Sequence, residues 1–197
     1  GGSMDYYHIS AEDLGRDARV PLVCAADSAE VFFDLALEMV STIREHNARG
    51  EKTVFICPVG PVGHYPYFVK MVNDQRISLK DCWFINMDEY LDDNDEWIDA
   101  ANPLSFRGFM ARNVYDRIDP ELVMPEEQRI FPDPHDPGHI GRVIDELGGV
   151  DIAFGGIGIT GHLAFNEPQP ELTCEEFAAL ETRALDIHPE TRATNSV

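Results

Sequence analysis

Basic residues are scarce in this chain. Lysine and arginine total 15 against 36 aspartates and glutamates, which leaves a formal net charge of −21. Such a field repels polyanions and excludes nucleic acid and anionic membranes as partners. Long apolar runs are missing too: no stretch approaches the roughly 20 residues that cross a bilayer. No basic, apolar, then small-residue leader opens the sequence, so secretion is not expected. The cysteines are only four, Cys24, Cys57, Cys82 and Cys174. Their scatter gives neither redox nor metal spacing, and buried free thiols are the plain reading. These absences point to a cytoplasmic protein with no metal and no cofactor. They leave open a phosphorylated small molecule held by a local feature such as a helix N-terminus, against the global field.

What is present is globular. Apolar residues make up 44% of the 197 positions, enough for one domain with a sizeable core. Residues 1–4 read as an expression scar, and 5–197 as a single α/β domain. Asp27-Ser28-Ala29-Glu30 is a capping signal, and Val31, Phe32, Leu35, Met39, Val40 and Ile43 follow at helical spacing until Gly50 stops the run. The branched, apolar run 53–57 predicts a buried strand. A Gly/Pro loop follows, then a helix over 67–73. The phrase repeats with a buried strand at 82–85, an acidic loop, and a helix over 103–115. Another helix spans 139–147, stopped by Gly148 and Gly149, and a last buried strand covers 150–154.

Helices alternating with buried strands predict a doubly wound, mostly parallel, Rossmann-like sheet covered by helices on both faces. Ligands of such sheets bind beyond the carboxyl ends of the strands. All three expected strands end there in unusual sequence: a Gly/Pro loop, the acidic pair Asp88-Glu89, and a glycine loop carrying His162.

The glycine loop contains Gly156, Gly158 and Gly161 in a G-x-G-x-x-G pattern. A dinucleotide fingerprint needs a helix to open there and an acid to close a later strand. Pro168 comes too soon for that helix, and no such acid follows. The glycines are better read as letting backbone pass close to a ligand while His162 and Glu167 are displayed for proton transfer. Taken alone, His162 is more often a hydrogen-bonded structural histidine, and Asp88-Glu89 is as readily a solvated turn. The acidic stretch from Asp92 fails as a calcium loop, with Trp97 at its sixth position and Pro103 at its twelfth.

Four segments occur in order: Asn86-Met87-Asp88-Glu89-Tyr90, Ser105-Phe106-Arg107-Gly108-Phe109-Met110, Gly161-His162-Leu163-Ala164-Phe165-Asn166-Glu167-Pro168, and Thr191-Arg192-Ala193-Thr194-Asn195-Ser196. Together they resemble the glucosamine-6-phosphate deaminase/isomerase family, within the 6-phosphogluconolactonase-like superfamily, from about residue 28 onward. The resemblance implies an aldose–ketose isomerase/deaminase acting on an amino-sugar phosphate. Asp88 would take the C2 proton, and His162 would act in ring opening with Glu167 setting its charge. Gly60, Gly63, His64, Glu89, Gly156, Gly158, Thr160, Gly161 and Arg183 would line the substrate. Self-association is implied as well.

The sequence departs from that pattern at several points. Thr160 stands where the family has an acid, Pro58-Val59-Gly60-Pro61-Val62-Gly63 replaces a hydroxyl-rich phosphate loop, and Val197 stands at a family arginine. The family's further strand–helix units, one bearing a phosphate-binding lysine, do not follow. Two alternatives therefore stand beside the isomerase: a non-catalytic sugar-binding or regulatory homologue, and a lactonase-type hydrolase in which His162 activates water.

Overall fold

The computed structural model describes residues 5–8, 22–24, 29–57 and 62–155. Strand β1 is Asp5–His8 and β2 is Leu22–Cys24. Helix α1 (Ala29–Ala48) leads to β3 (Thr53–Cys57), α2 (Tyr65–Gln75) and β4 (Cys82–Asn86). After β5 (Asp88–Leu91) come α3 (Phe106–Asn113), the short β6 (Arg129–Ile130), α4 (His139–Leu147) and β7 (Ile152–Gly155).

The main sheet has five strands in the order β2-β7-β3-β4-β6, and every neighbouring pair is parallel. The expected parallel α/β sheet is therefore what forms. Alternation along β3 splits the apolar residues between two faces. Phe55 and Cys57 join Phe84 of β4 in one core with α1, α2 and α3. Val54 and Ile56 join Ile85 in a second core beneath Ile140 and Ile144 of α4. Both faces are thus covered, which is why these strands read as continuous apolar runs. Each fully buried phenylalanine of the first core contributes roughly 1.5–3 kcal/mol by leaving water.

Local chemistry sets the element ends. Gly50 takes φ +69 after α1, with Glu51 N–H returning to His46 O at 2.9 Å. Gly148 closes α4 in the same left-handed region. These are C-terminal caps that favour glycine. Helix α2 begins two residues before its expected start, because Pro66 fits the first turn where no N–H is needed. Helix α3 is shorter than expected. Ser105 is its N-cap, accepting Gly108 N–H, so Pro103 and Leu104 lie in the preceding turn, and Tyr115 opens a separate 3-10 turn.

Four strands were not anticipated: β1, β2, β5 and β6. The most consequential is β5. Asp88-Glu89 was read as loop or turn, yet it is a strand paired antiparallel with β1 in a separate two-stranded sheet, with His8 opposite Asp88 and Tyr6 opposite Tyr90.

Candidate functional site

Strands β4, β3 and β7 are consecutive neighbours, so their carboxyl ends share one edge of the sheet. From that edge the chain leaves Cys57 toward the Gly/Pro loop, leaves Asn86 toward Asp88, and leaves Gly155 toward the glycine loop. With strands about 4.8 Å apart, β4 and β7 are separated by roughly 10 Å, a hexose-sized span. Gly60, Gly156, Gly158, Thr160, Gly161, His162, Glu167 and Arg183 lie outside the described residues. Of the expected site, the structure describes Gly63, His64, Asp88 and Glu89.

Asp88 has no solvent exposure, and neither does Glu89. Their strand sends neighbouring side chains to opposite sides, and the two carboxylates meet different partners. Tyr6 lies diagonally across the β1–β5 pair from Asp88, and the Asp88 carboxylate acts on its phenol. Glu89 turns to the start of α3. Its Oε1 accepts the N–H of Tyr90 at 2.9 Å and of Phe106 at 3.0 Å. Its Oε2 accepts Arg107 N–H at 3.0 Å and the Ser105 hydroxyl at 3.1 Å. A negative charge on the first N–H groups of a helix is well placed. Glu89 was expected to touch substrate; as placed, both its oxygens are engaged by the protein's own backbone and Ser105. It anchors α3 beside Asp88.

His64 is the N-cap residue of α2 and makes no side-chain cap. It is fully buried, its ring 4.0 Å from that of Tyr65. Burial lowers its pKa to about 4, so the imidazole is neutral at neutral pH. Gly63 precedes it. A Cβ there would lie 2.4 Å from the Phe32 ring, so this position is small because an α1 aromatic packs on it. Val62 is half-buried and packs against the first core.

Two residues of this region carried no role in the sequence reading. Asn86 is buried, and its Oδ1 has no hydrogen-bond partner among the described residues. It stood in a quoted motif, but nothing in the sequence marked its carbonyl as unmatched. Tyr6 was invisible because β1 is only four residues long and contacts its partner across more than 80 positions of chain.

A cavity of about 500 Å³ lies elsewhere. Gly50, Lys52, Asp81, Gly148 and Asp151 line it, at the opposite, amino-terminal edge of the sheet. It is the gap between two helix ends, and Asp151 there accepts Val54 N–H at 2.7 Å to start β3. The chemistry-bearing residues are not near it.

No protein-family model matches the chain. Among curated proteins, the glucosamine-6-phosphate deaminase of Porphyromonas gingivalis is 36% identical over 118 residues, 57% of this chain and 42% of that protein. That of Borrelia garinii is 31% identical over 146 residues, 70% and 52% of the two chains. That of Caenorhabditis elegans is 31% identical over 166 residues, 80% and 57%. The chain spans about half the length of these relatives. A solved monomeric glucosamine-6-phosphate deaminase, described as a missing link of the NagB superfamily, shares the fold with a TM-score of 0.56 and 20% identity. The match covers 88% of this chain and 73% of that one.

Proposed function

We propose, from the premise that this chain belongs to the glucosamine-6-phosphate deaminase family as a divergent member, that it is an aldose–ketose isomerase/deaminase of an amino-sugar phosphate. The observation that carries this is Asp88, a buried carboxylate at the carboxyl edge of a parallel sheet. A carboxylate removed from bulk water and held in place is a competent base for a carbon-bound proton.

In this reading Asp88 takes the C2 proton of the opened sugar and returns it at C1. His162 moves the ring-oxygen proton, with Glu167 holding the imidazole. Gly156, Gly158, Thr160 and Gly161 let the sugar approach the backbone. Gly60, Gly63 and the α2 N-terminus, whose first turn holds no acid, face the phosphate, with Arg183 as a further contact. Asn86 Oδ1, an acceptor without a donor among the described residues, suits a substrate hydroxyl or amine. Action in the cytoplasm and self-association belong to the same reading; sedimentation reads out the latter.

The experiment is exchange of the C2 hydrogen of glucosamine 6-phosphate in heavy water. The wild type should exchange it and release ammonia, and Asp88→Asn should abolish exchange while the thermal transition persists. Exchange at the wild-type rate in Asp88→Asn removes Asp88 as the base.

A second reading has its own support. Val62 packs into the core instead of offering a hydroxyl, and Thr160 cannot hold a charge near an imidazolium. A non-catalytic sugar-binding protein would be stabilised thermally by the sugar yet turn over no member of a substrate panel.

A further inference from the structure

We infer that Tyr6, delivered by β1 against β5, is the positioning residue that holds the Asp88 carboxylate through a phenolic hydrogen bond. This rests on the reading of Asp88 as the base. The register makes the contact geometrically natural. Tyr6 lies directly opposite Tyr90, and His8 opposite Asp88. Tyr6 and Asp88 are therefore diagonal neighbours across the antiparallel pair, a separation of about 7–8 Å that a long aromatic side chain bridges.

The ring is fixed as well as aimed. Its centroid is 5.3 Å from Tyr90 and 6.3 Å from Phe106, edge-on to both, while Tyr90 and Phe106 stack at 5.7 Å. Phe106 in turn is tied to Glu89 through its N–H. The same β5 strand thus receives α3 through Glu89 and β1 through the Tyr6–Tyr90 pair, and Asp88 immediately precedes these two attachments. Tyr6 itself is half-exposed, so its ring reaches from the surface to a carboxylate that solvent does not touch.

The hydroxyl can only donate to an ionised carboxylate. Burial first, and then the hydrogen bond and charge of Asp88, push the Tyr6 phenol far above its ordinary value. It stays a donor across the working pH range. A donor on the carboxylate fixes the rotamer of the group that takes the C2 proton. In the transfer itself the proton moves from C2 to Asp88, and Tyr6 keeps its own.

Two measurements test this. In Tyr6→Phe the ring stays in its aromatic setting and only the hydroxyl is lost. For C2 exchange of glucosamine 6-phosphate, kcat should fall about tenfold or more, while KM should change less than about twofold. A wild-type kcat in Tyr6→Phe, or a change that falls on KM instead of kcat, overturns the inference, because a merely structural tyrosine would not lower kcat alone.

The second measurement needs no turnover. With ¹³Cζ-labelled tyrosine, the resonance that disappears in Tyr6→Phe should stay protonated past about pH 10, where free tyrosine ionises, and should ionise at lower pH in Asp88→Ala. An identical Tyr6 titration in wild type and Asp88→Ala overturns the contact. Should the wild type exchange no C2 hydrogen while the titration shifts as expected, the pairing holds and the isomerase reading is what fails.

Discussion

Ser105 and Glu89 close on each other across the start of α3: the Ser105 hydroxyl donates to Glu89 Oε2 at 3.1 Å while its oxygen accepts Gly108 N–H at 3.1 Å. Serine caps the helix, and the carboxylate sixteen residues earlier in sequence caps it a second time from β5. A helix of eight residues is too short to be stable alone. Its N-terminus is defined here by a residue of the strand that carries the proposed base.

Replacing Glu89 by glutamine puts an amide N–H₂ against donors. Glu89→Gln is expected to cost about 2–3 kcal/mol, since charge-assisted bonds are lost and buried N–H groups go unmatched. Ser105→Ala should cost about 1 kcal/mol. Urea unfolding of both and of the double variant should show a coupling of at least about 0.5 kcal/mol. Simple additivity would separate Ser105 from the Glu89 network.

His64 gives a pH prediction with a definite sign. The unfolded chain protonates a histidine near 6.5, whereas burial holds folded His64 at about 4. Between those values the unfolded state binds more protons, so stability is complete above about pH 6.5 and falls as pH drops toward 4. The loss from this one residue is about 3 kcal/mol. His64→Phe keeps an aromatic ring beside Tyr65 and removes the titration. Urea midpoints followed from pH 7 to pH 4 should therefore fall more steeply in wild type than in the variant. Parallel curves would place the imidazole in contact with solvent.

The legible part of this protein is what depends on local pattern. Continuous apolar runs gave β3, β4 and β7, and the glycines at 50 and 148 marked helix ends, because periodicity and left-handed caps are properties of adjacent residues. Asp88 was legible as a residue with chemistry, but not as a strand, since Asp88-Glu89-Tyr90-Leu91 is stabilised by β1 and by α3, both remote in sequence. For the same reason Glu89 was read as a substrate contact: acidity shows in the sequence, and the backbone N–H groups that occupy it do not. β2 and β6 escaped because runs of three and two residues carry no period.

Cys57 and Cys82 are buried free thiols. Burial pushes the Cys57 thiol up to about 12, against smaller lowering effects from Tyr65 and the Ile85 backbone. Burial and the neighbouring Asp81 and Asp151 raise Cys82 as well. The thiolate is the reactive species, so both should resist alkylation at pH 8 in the folded protein and react at once in denaturant. Peptide mass mapping after iodoacetamide treatment gives the site. Rapid native labelling of Cys57 would mean that the sheet edge below the Gly/Pro loop opens readily.

Gly108 sets two opposing effects against each other. It lies inside α3, where alanine in place of glycine ordinarily gains about 0.5–1 kcal/mol. A Cβ at Gly108, however, would come within 1.8 Å of the Ala100 carbonyl oxygen and 2.7 Å of Arg112 Nη1. The arginine end can move, but the carbonyl belongs to backbone and accepts Arg112 Nη1 at 2.9 Å. Moving it displaces the turn that leads into Ser105, and with it the cap that Glu89 shares. Overpacking of this kind costs about 1–3 kcal/mol, so the clash outweighs the propensity and Gly108→Ala should be destabilised. It should also lower C2 exchange, because the end of α3 and β5 shift together. Gly50→Ala is the informative contrast: its added Cβ meets nothing within 4 Å, and only the positive φ of +69 costs about 1 kcal/mol. A Gly108→Ala protein that melts above the wild type would show that Ala100 does not press on the helix at all.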